Sequence, residues 1–256
     1  MNTIYSPHQS YLLDALNTDQ YERLFPHLEL VLLPFGEILY ESGCELNYVY
    51  FPITCLVAKL YFTESGASTE LALIGNEGFI GIALFMGGGT TTHRAMVVSE
   101  GYAYRIRANL ILQEFNRFEV RRSGALHHLL LQYIQALMTQ ISQTAVCNRH
   151  HSIVQQLCRL LLLSLDRLPD NNITMTQGLI ANMLGVRRES VTDAARKLQQ
   201  LGIIDYCRGH ITVLDRLGLE AQVCECYQVV KDEFSRLIPA LHVVPPATSC
   251  SRTMCR

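Results

Sequence analysis

Residues 176–202 read TQGLIANMLGVRRESVTDAARKLQQLG, and this stretch decides the fold of the C-terminal part of the chain. Thr176 can cap a helix by accepting an N–H from its first turn. Leu179, Ile180, Met183 and Leu184 then recur at helical spacing and make an apolar stripe. Gly185 permits a sharp turn, and Val186 plugs the angle between two helices. The second helix is expected to bury Val191, Ala194, Ala195, Leu198 and Leu201, with small alanines where the first helix must come close. Its other face shows Arg188, Glu189, Thr192, Asp193 and Arg196. This is the helix-turn-helix plan. Beyond it, the β-prone runs 203–206 and 211–214 are joined by Arg208-Gly209 and read as a hairpin, or wing.

A helix of this kind fits the major groove of DNA, where side chains near its N-terminus reach base edges. Arginine can bond guanine O6 and N7 together, glutamate can accept from cytosine N4, and Ser or Thr can hold phosphate oxygens. The candidate DNA-contacting residues are therefore Thr176, Gln177, Arg187, Arg188, Glu189, Ser190, Thr192, Arg196 and Arg208. Two arginines on a helical hairpin in an ordinary core would look similar. The capping threonine, the glycine turn, the alanines at the tight contact and the wing together are more specific.

Working outward, residues 152–168 carry Ile153, Leu157, Leu160, Leu161 and Leu165 at helical spacing, and the run from Pro169 to Asn172 breaks that helix. A longer helix is expected over 120–148. One row of it, His127, Leu130, Ile134, Leu137, Ile141, Thr144 and Asn148, follows the 3/4 spacing of a coiled-coil seam. Leu130, Ile134, Leu137, Ile141 and Thr144 are accordingly the candidate dimer seam. Leu126, Leu129, Leu131, Tyr133 and Met138 lie off it, so the helix is broadly apolar and also covers its own domain. A purely intramolecular role is the alternative.

From 28 to 107 the texture changes. Short β-prone runs at 30–33, 38–40, 48–51, 55–62, 69–74, 95–98 and 103–106 alternate with glycine- and proline-marked turns, which predicts an antiparallel sandwich or barrel. Helices are expected over 10–26, 108–118 and 217–237; Pro239, Pro245 and Pro246 then end regular structure, and 247–256 reads as a mobile tail. The fold class is thus α+β. Domain boundaries are expected at 1–119 for a β jelly roll, 120–148 for the dimerisation helix, 149–238 for the winged helix-turn-helix and 239–256 for the tail.

The 256 residues carry 21 basic and 23 acidic side chains, which excludes a protein that coats nucleic acid by bulk charge. The balance is uneven: 1–148 holds 8 basic and 13 acidic residues, and 149–216 holds 9 and 6, so any nucleic-acid contact is local. The apolar runs 126–138 and 157–165 fall short of a membrane span, and the N-terminus has no secretory pattern. A cytoplasmic location is expected. The nine cysteines are Cys44, Cys55, Cys147, Cys158, Cys207, Cys224, Cys226, Cys250 and Cys255, an odd count that reads as free thiols in a reducing compartment. Cys224 and Cys226 form a C-x-C pair, half of a metal site, but Cys207 and His210 stand at no familiar zinc spacing to complete it, so no metal site is assigned.

At this point the residues resemble a family. LGVRRESVT at 184–192, with RGHITVLD at 208–215, looks like the winged helix of the Crp/Fnr family of bacterial transcription regulators. The order of β domain, long helix and winged helix agrees over roughly 10–237. YVYFP at 48–52, IGNEGFIG at 74–81 and CNRHHS at 147–152 look like a subgroup with an altered effector pocket. The resemblance implies that Arg188 and Glu189 read bases, and that Thr176, Gln177 and Ser190 touch phosphate or support the helix. Arg187 stands where many members have a capping Ser or Thr, and Asp193 where some have a second base-reading Arg. The resemblance implies double-stranded DNA and a second copy of the chain as partners, RNA polymerase as a further candidate, and no membrane.

The N-terminal half resembles the family's cyclic-nucleotide-binding jelly roll, and Glu77, Gly78 and Arg94 are its candidate effector residues. The ribose-binding Glu of the family's turn is missing from Gly78-Phe79-Ile80-Gly81, and Arg94-Ala95 keeps the Arg but loses the hydroxyl. The reading therefore includes no cofactor, does not extend to cAMP, and leaves the effector open. Nothing places an iron–sulfur cluster, since the first cysteine is Cys44, and nothing points to haem. The His127/His128 and His150/His151 pairs read as solvent-facing or hinge residues. Two other classes compete: a redox- or metal-responsive cysteine protein, and a cupin-type metalloenzyme. The second needs several converging histidines, and the strand region offers His93 alone. The expectation is a non-enzymatic homodimer that inserts Arg187 to Arg196 of each copy into DNA.

Overall fold

The computed structural model describes residues 5–117 and 125–238. The expected start of the long helix at 120–124 and the tail from 239, with Pro239, Pro245, Pro246, Cys250 and Cys255, lie outside the described residues. Two short helices, α1 (Tyr11–Asp14) and α2 (Thr18–Leu24), precede the sheets. The sequence suggests one helix here. Asn17 divides it, because its side chain accepts from Gln20 N–H and starts a new helix. Phe25, expected on the apolar side, is half exposed.

The strands are β1 (Glu29–Leu33), β2 (Ile38–Tyr40), β3 (Tyr48–Pro52), β4 (Leu56–Phe62), β5 (Ser68–Ile74), β6 (Arg94–Ser99) and β7 (Gly101–Arg107). They form one sheet of order β1-β7-β3 and a second of order β2-β6-β4-β5, all antiparallel. Partners such as β2 and β6 are far apart in sequence, which is the jelly-roll signature. Strand β4 is buried on both faces because it serves two cores. Val57 points into the roll with Leu33, Ile74, Ile80 and Val97, while Leu56, Ala58 and Leu60 join the larger core outside it.

Helix α3 (Ala108–Phe115) leads to α4 (Ala125–His150) and α5 (Ile153–Leu165). Ser152 caps α5 in a reciprocal box with Gln155, and this fixes the bend after α4. The inner face of α4 lies on the roll and on the last helix: Leu126, Leu129, Leu130, Tyr133, Ala136, Leu137, Gln140, Thr144 and Cys147 are all buried. The expected seam is thus partly taken up within the chain. Leu130, Leu137 and Thr144 are already covered within their own chain, and Ile134 and Ile141 are partly covered. The row that faces solvent sits beside them: Leu131 is 51% and Met138 58% exposed. The helix is apolar on two sides, and Ile134 and Ile141 lie between them.

The C-terminal part holds β8 (Asn172–Thr174), α6 (Gln177–Leu184), α7 (Arg188–Gln200), β9 (Ile204–Cys207), β10 (His210–Val213), α8 (Arg216–Gln222) and α9 (Cys226–Leu237). Strand β8 was not expected; it adds a third member to the wing in the order β8-β10-β9. The single helix expected over 217–237 is two helices, broken at Val223. Among the described residues no helix is long and apolar enough to cross a membrane.

Candidate nucleic-acid interface

Helix α6 starts where Thr176 Oγ1 accepts from Leu179 N–H at 3.2 Å, and it ends at Gly185, whose φ of 66° is left-handed. Val186 N–H returns to Ala181 O, and the chain enters α7 through Arg187 in extended conformation. Val191, Ala194, Ala195 and Leu198 of α7 are buried against α5 and α6. Leu201, expected beside them, is 54% exposed, because it lies where the helix ends before Gly202 turns at a φ of 71°.

The N-terminal end of α7 has no side-chain cap. Ser190 N–H returns to Arg187 O, and no side chain takes the N–H groups before it, so the positive end of the dipole is uncompensated, a setting that favours an anion. Arg187, Arg188 and Glu189 stand exposed around this end, and among the described residues neither arginine takes an ion-pair partner. Ser190 is half-buried. These four of the expected residues form one outward-facing group.

The other expected residues divide. Thr192 Oγ1 lies 2.9 Å from Gln177 Oε1 and 3.0 Å from Arg188 O, so its proton serves a bond inside the motif. Gln177 and Thr192 thus fix α7 against the start of α6. Arg196 donates to Asp193 at 3.3 Å, an exposed pair of little energetic weight that leaves Arg196 able to turn outward. Arg208 sits at the wing tip with a φ of 51°, the sole non-glycine with positive φ among the described residues, and Gly209 follows at 87°. Two successive left-handed residues make the tight turn of a two-residue hairpin. An arginine there costs about 1–3 kcal/mol that an asparagine or glycine would largely avoid.

The three candidate effector residues have separate partners. Glu77 Oε1 accepts from Arg167 Nε at 2.5 Å and its Oε2 from Gly75 N–H at 3.1 Å. Gly78 lies against Tyr133, where an added Cβ would come within 2.5 Å of the phenol oxygen. Arg94 donates to Glu41 at 2.8 Å and stacks on Phe62. Glu77 and Gly78 belong to the contact between the roll, α4 and the segment after α5, and Glu77 with Arg167 also borders a cleft that Asn76, Arg216 and Phe234 line.

That contact was not legible in the sequence. Arg167, 5% exposed, also donates to Leu163 O and reaches Gln140 Oε1. Gln140 donates to Leu73 O, and buried Arg159 donates to Thr144 Oγ1 beside buried Glu70. Burial raises the Glu70 carboxyl, against the pull of Arg159 and Arg167. The hairpin of the roll touches the helix-turn-helix directly: Ser68 Oγ donates to Asn182 O and Thr69 Oγ1 to Met183 O. The end of α6 and the Gly185 turn, a few residues before α7's exposed start, are therefore tied to the roll.

Comparison with known proteins gives three findings. Residues 155–222 match the family of Crp-like helix-turn-helix domains. No curated protein sequence matches the chain. Solved structures of the same fold include a Crp/Fnr-family protein from Eubacterium rectale, 17% identical over 85% of this chain and 97% of the other, with a TM-score of 0.62. The c-di-GMP-responsive global regulator CLP of Xanthomonas campestris is 15% identical over 77% and 99%, with a TM-score of 0.60. A CRP-family transcriptional regulator from Thermus thermophilus is 17% identical over 75% and 95%, again at 0.60.

Proposed function

We propose, from the premise that residues 155–222 are a Crp-like helix-turn-helix domain on a chain with the fold of the Crp/Fnr transcription regulators, that this protein is a homodimeric, sequence-specific DNA-binding regulator. The observation that carries the reading is the exposed, uncapped start of α7, ringed by Arg187, Arg188 and Glu189. Arg188 and Glu189 reach base edges in the major groove, and Arg187 and the helix dipole hold a phosphate. Arg208 at the wing tip contacts the backbone nearby. Thr192 and Gln177 hold the reading helix at its angle.

Two copies are required because one short helix reads few bases. The supporting surface is the solvent-facing row of α4, in which Leu131, Ile134, Met138, Ile141 and Ala145 follow 3/4 spacing and Leu131 and Met138 are large and exposed. With a near-neutral total charge, affinity rests on these placed arginines and on dimerisation, and non-specific binding is modest. The domains work as a roll over 1–119, a dimer helix over 120–148 and a DNA-binding unit over 149–238.

The test is selection of DNA sites from a random pool with the full chain, followed by footprinting. A two-fold site of ~20 base pairs, with half-sites about one helical turn apart, is expected. Recovery of no common sequence, or of a site without two-fold symmetry, would overturn the reading.

A further inference from the structure

The break between α8 and α9 has a chemical consequence. At Val223 the chain leaves the helix, and Cys224 and Cys226 both turn inward, 4% and 0% exposed. They meet the C-terminal end of α4, where Cys147 and His151 stand one helical turn apart, joined by the bond from His151 N–H to Cys147 O. Cys147 Sγ is 3.6 Å from Cys224 Sγ, and Cys226 Sγ is 3.5 Å from His151 Nδ1. One ligand atom from each of the four residues lies within 4.8 Å of every other.

These spacings discriminate between chemistries. A disulfide brings its sulfurs to about 2.05 Å, well inside the 3.6 Å seen. A tetrahedral zinc ion with its usual Zn–S and Zn–N lengths sets S···S edges near ~3.8 Å and S···N edges near ~3.6 Å. The remaining imidazole nitrogen, His151 Nε2, lies 3.4 Å from Glu225 Oε1. A carboxylate in that position holds the proton on Nε2 and leaves the Nδ1 lone pair facing the sulfurs, as the outer partner of a metal-bound histidine does. The three thiols form a core cluster of their own, separate from the main cores of the protein. A cleft bordered by Val223, Cys224, Glu225 and Gln228 opens beside them and offers a way in.

We propose that Cys147, His151, Cys224 and Cys226 bind one divalent metal ion of the zinc type, as a closed tetrahedral structural site. Binding releases the three thiol protons, and the resulting thiolates with a dication leave a net charge of −1. Four protein ligands leave no open position, so the ion serves architecture rather than catalysis. It ties the end of α4 to the turn between α8 and α9, across the bend at Ser152 where α5 begins. The site stands whether or not the DNA reading does, since its test reads metal.

The experiment uses the full chain, purified under reducing conditions without chelator. Mass spectrometry of the metals is expected to find one zinc per chain, with at least a tenfold loss in the Cys224→Ser/Cys226→Ser variant and full retention in Cys207→Ser. Wild-type protein stripped by chelator is then titrated with cobalt(II). Thiolate-to-cobalt charge-transfer bands and the intense visible bands of a tetrahedral ion should saturate at one equivalent and vanish on adding zinc. The cobalt titration needs no variant, so it decides even where the double variant does not fold. Wild-type chain that gives no such bands while reduced overturns the proposal. So does a double variant that keeps its full equivalent of metal.

Discussion

Replacing Glu77 by Leu would strand a cation. Arg167 and Glu77 are each 5% exposed and make one ion pair between the roll and the segment that follows α5. With charge centres about 4 Å apart and an effective dielectric of ~20, their attraction is about 4 kcal/mol. Removing one partner of such a pair costs about 3–5 kcal/mol, because the other charge is left buried. In Glu77→Leu the guanidinium retains Leu163 O and Gln140 Oε1, and the carboxylates of Asp166 and Glu70 act on it from farther off, without the direct ion pair that Glu77 supplies. The loss of the Gly75 N–H bond adds about 1 kcal/mol. Arg167→Met strands the carboxylate in the same way. The double variant Glu77→Leu/Arg167→Met removes both charges and should regain most of what either single variant loses.

The assay is urea denaturation of the four proteins in a double-mutant cycle, followed by fluorescence and by circular dichroism. Coupling of at least ~2 kcal/mol is expected. Because the pair joins the two halves, the single variants should also split the transition, with one half melting before the other. Single losses under ~1 kcal/mol with no coupling would place this pair among weak surface contacts and refute the argument from burial.

Leu131→Asp/Met138→Asp should sediment as a monomer with wild-type melting behaviour, since both side chains are exposed within the chain, whereas Leu130→Asp should unfold it; a dimeric double variant would exclude this face. Burial lowers Lys59 to about 8, so between pH 8 and its unfolded value near ~10.4 the unfolded state holds more protons and stability should rise with pH. Lys59→Met should flatten that rise and stabilise the protein at neutral pH by up to about 3 kcal/mol, and an unchanged profile in chemical denaturation would refute it. Arg208→Gly should raise stability by about 1 kcal/mol by relieving the left-handed backbone, yet weaken binding to all DNA sequences alike; a melting point that falls, or a base-specific loss, would count against the wing-tip assignment.

What the sequence displayed well was local. The runs at 38–40 and 48–51 emerge as strands because glycines, prolines and alternation mark them within a few residues. The helix-turn-helix is similarly self-contained: Thr176, Gly185 and the alanines of α7 act on neighbours in the chain. Strand β8 was missed because Asn171 and Asn172 read as a turn, and its order comes from pairing with β10, nearly forty residues on. The expected seam and the solvent-facing row of α4 share Ile134 and Ile141, because α4 satisfies an apolar spacing on two faces. Only the position of the roll and α9 decides which row is covered.

Glu77 shows the same limit in chemistry. Its place beside a glycine turn suggested a ligand contact, but Arg167 lies 90 residues away and no local pattern announces an ion pair of that span. The cysteines are different, because a signal was present. Cys147 lies at the end of the helix expected over 120–148, and α4 runs on to His150, which sets His151 one helical turn beyond Cys147 as a ligand half-site; Cys224 with Cys226 is another. The nearest cysteine and histidine before this pair in sequence, Cys207 and His210, lie in the exposed wing. Pairing half-sites by spacing on their own elements, rather than by distance along the chain, would have joined the two. The continuous apolar pattern over 217–237 hid the break that turns Cys224 inward. That break leaves a helix unfinished at Val223, and the contacts made by the two thiols are what the chain gains in its place.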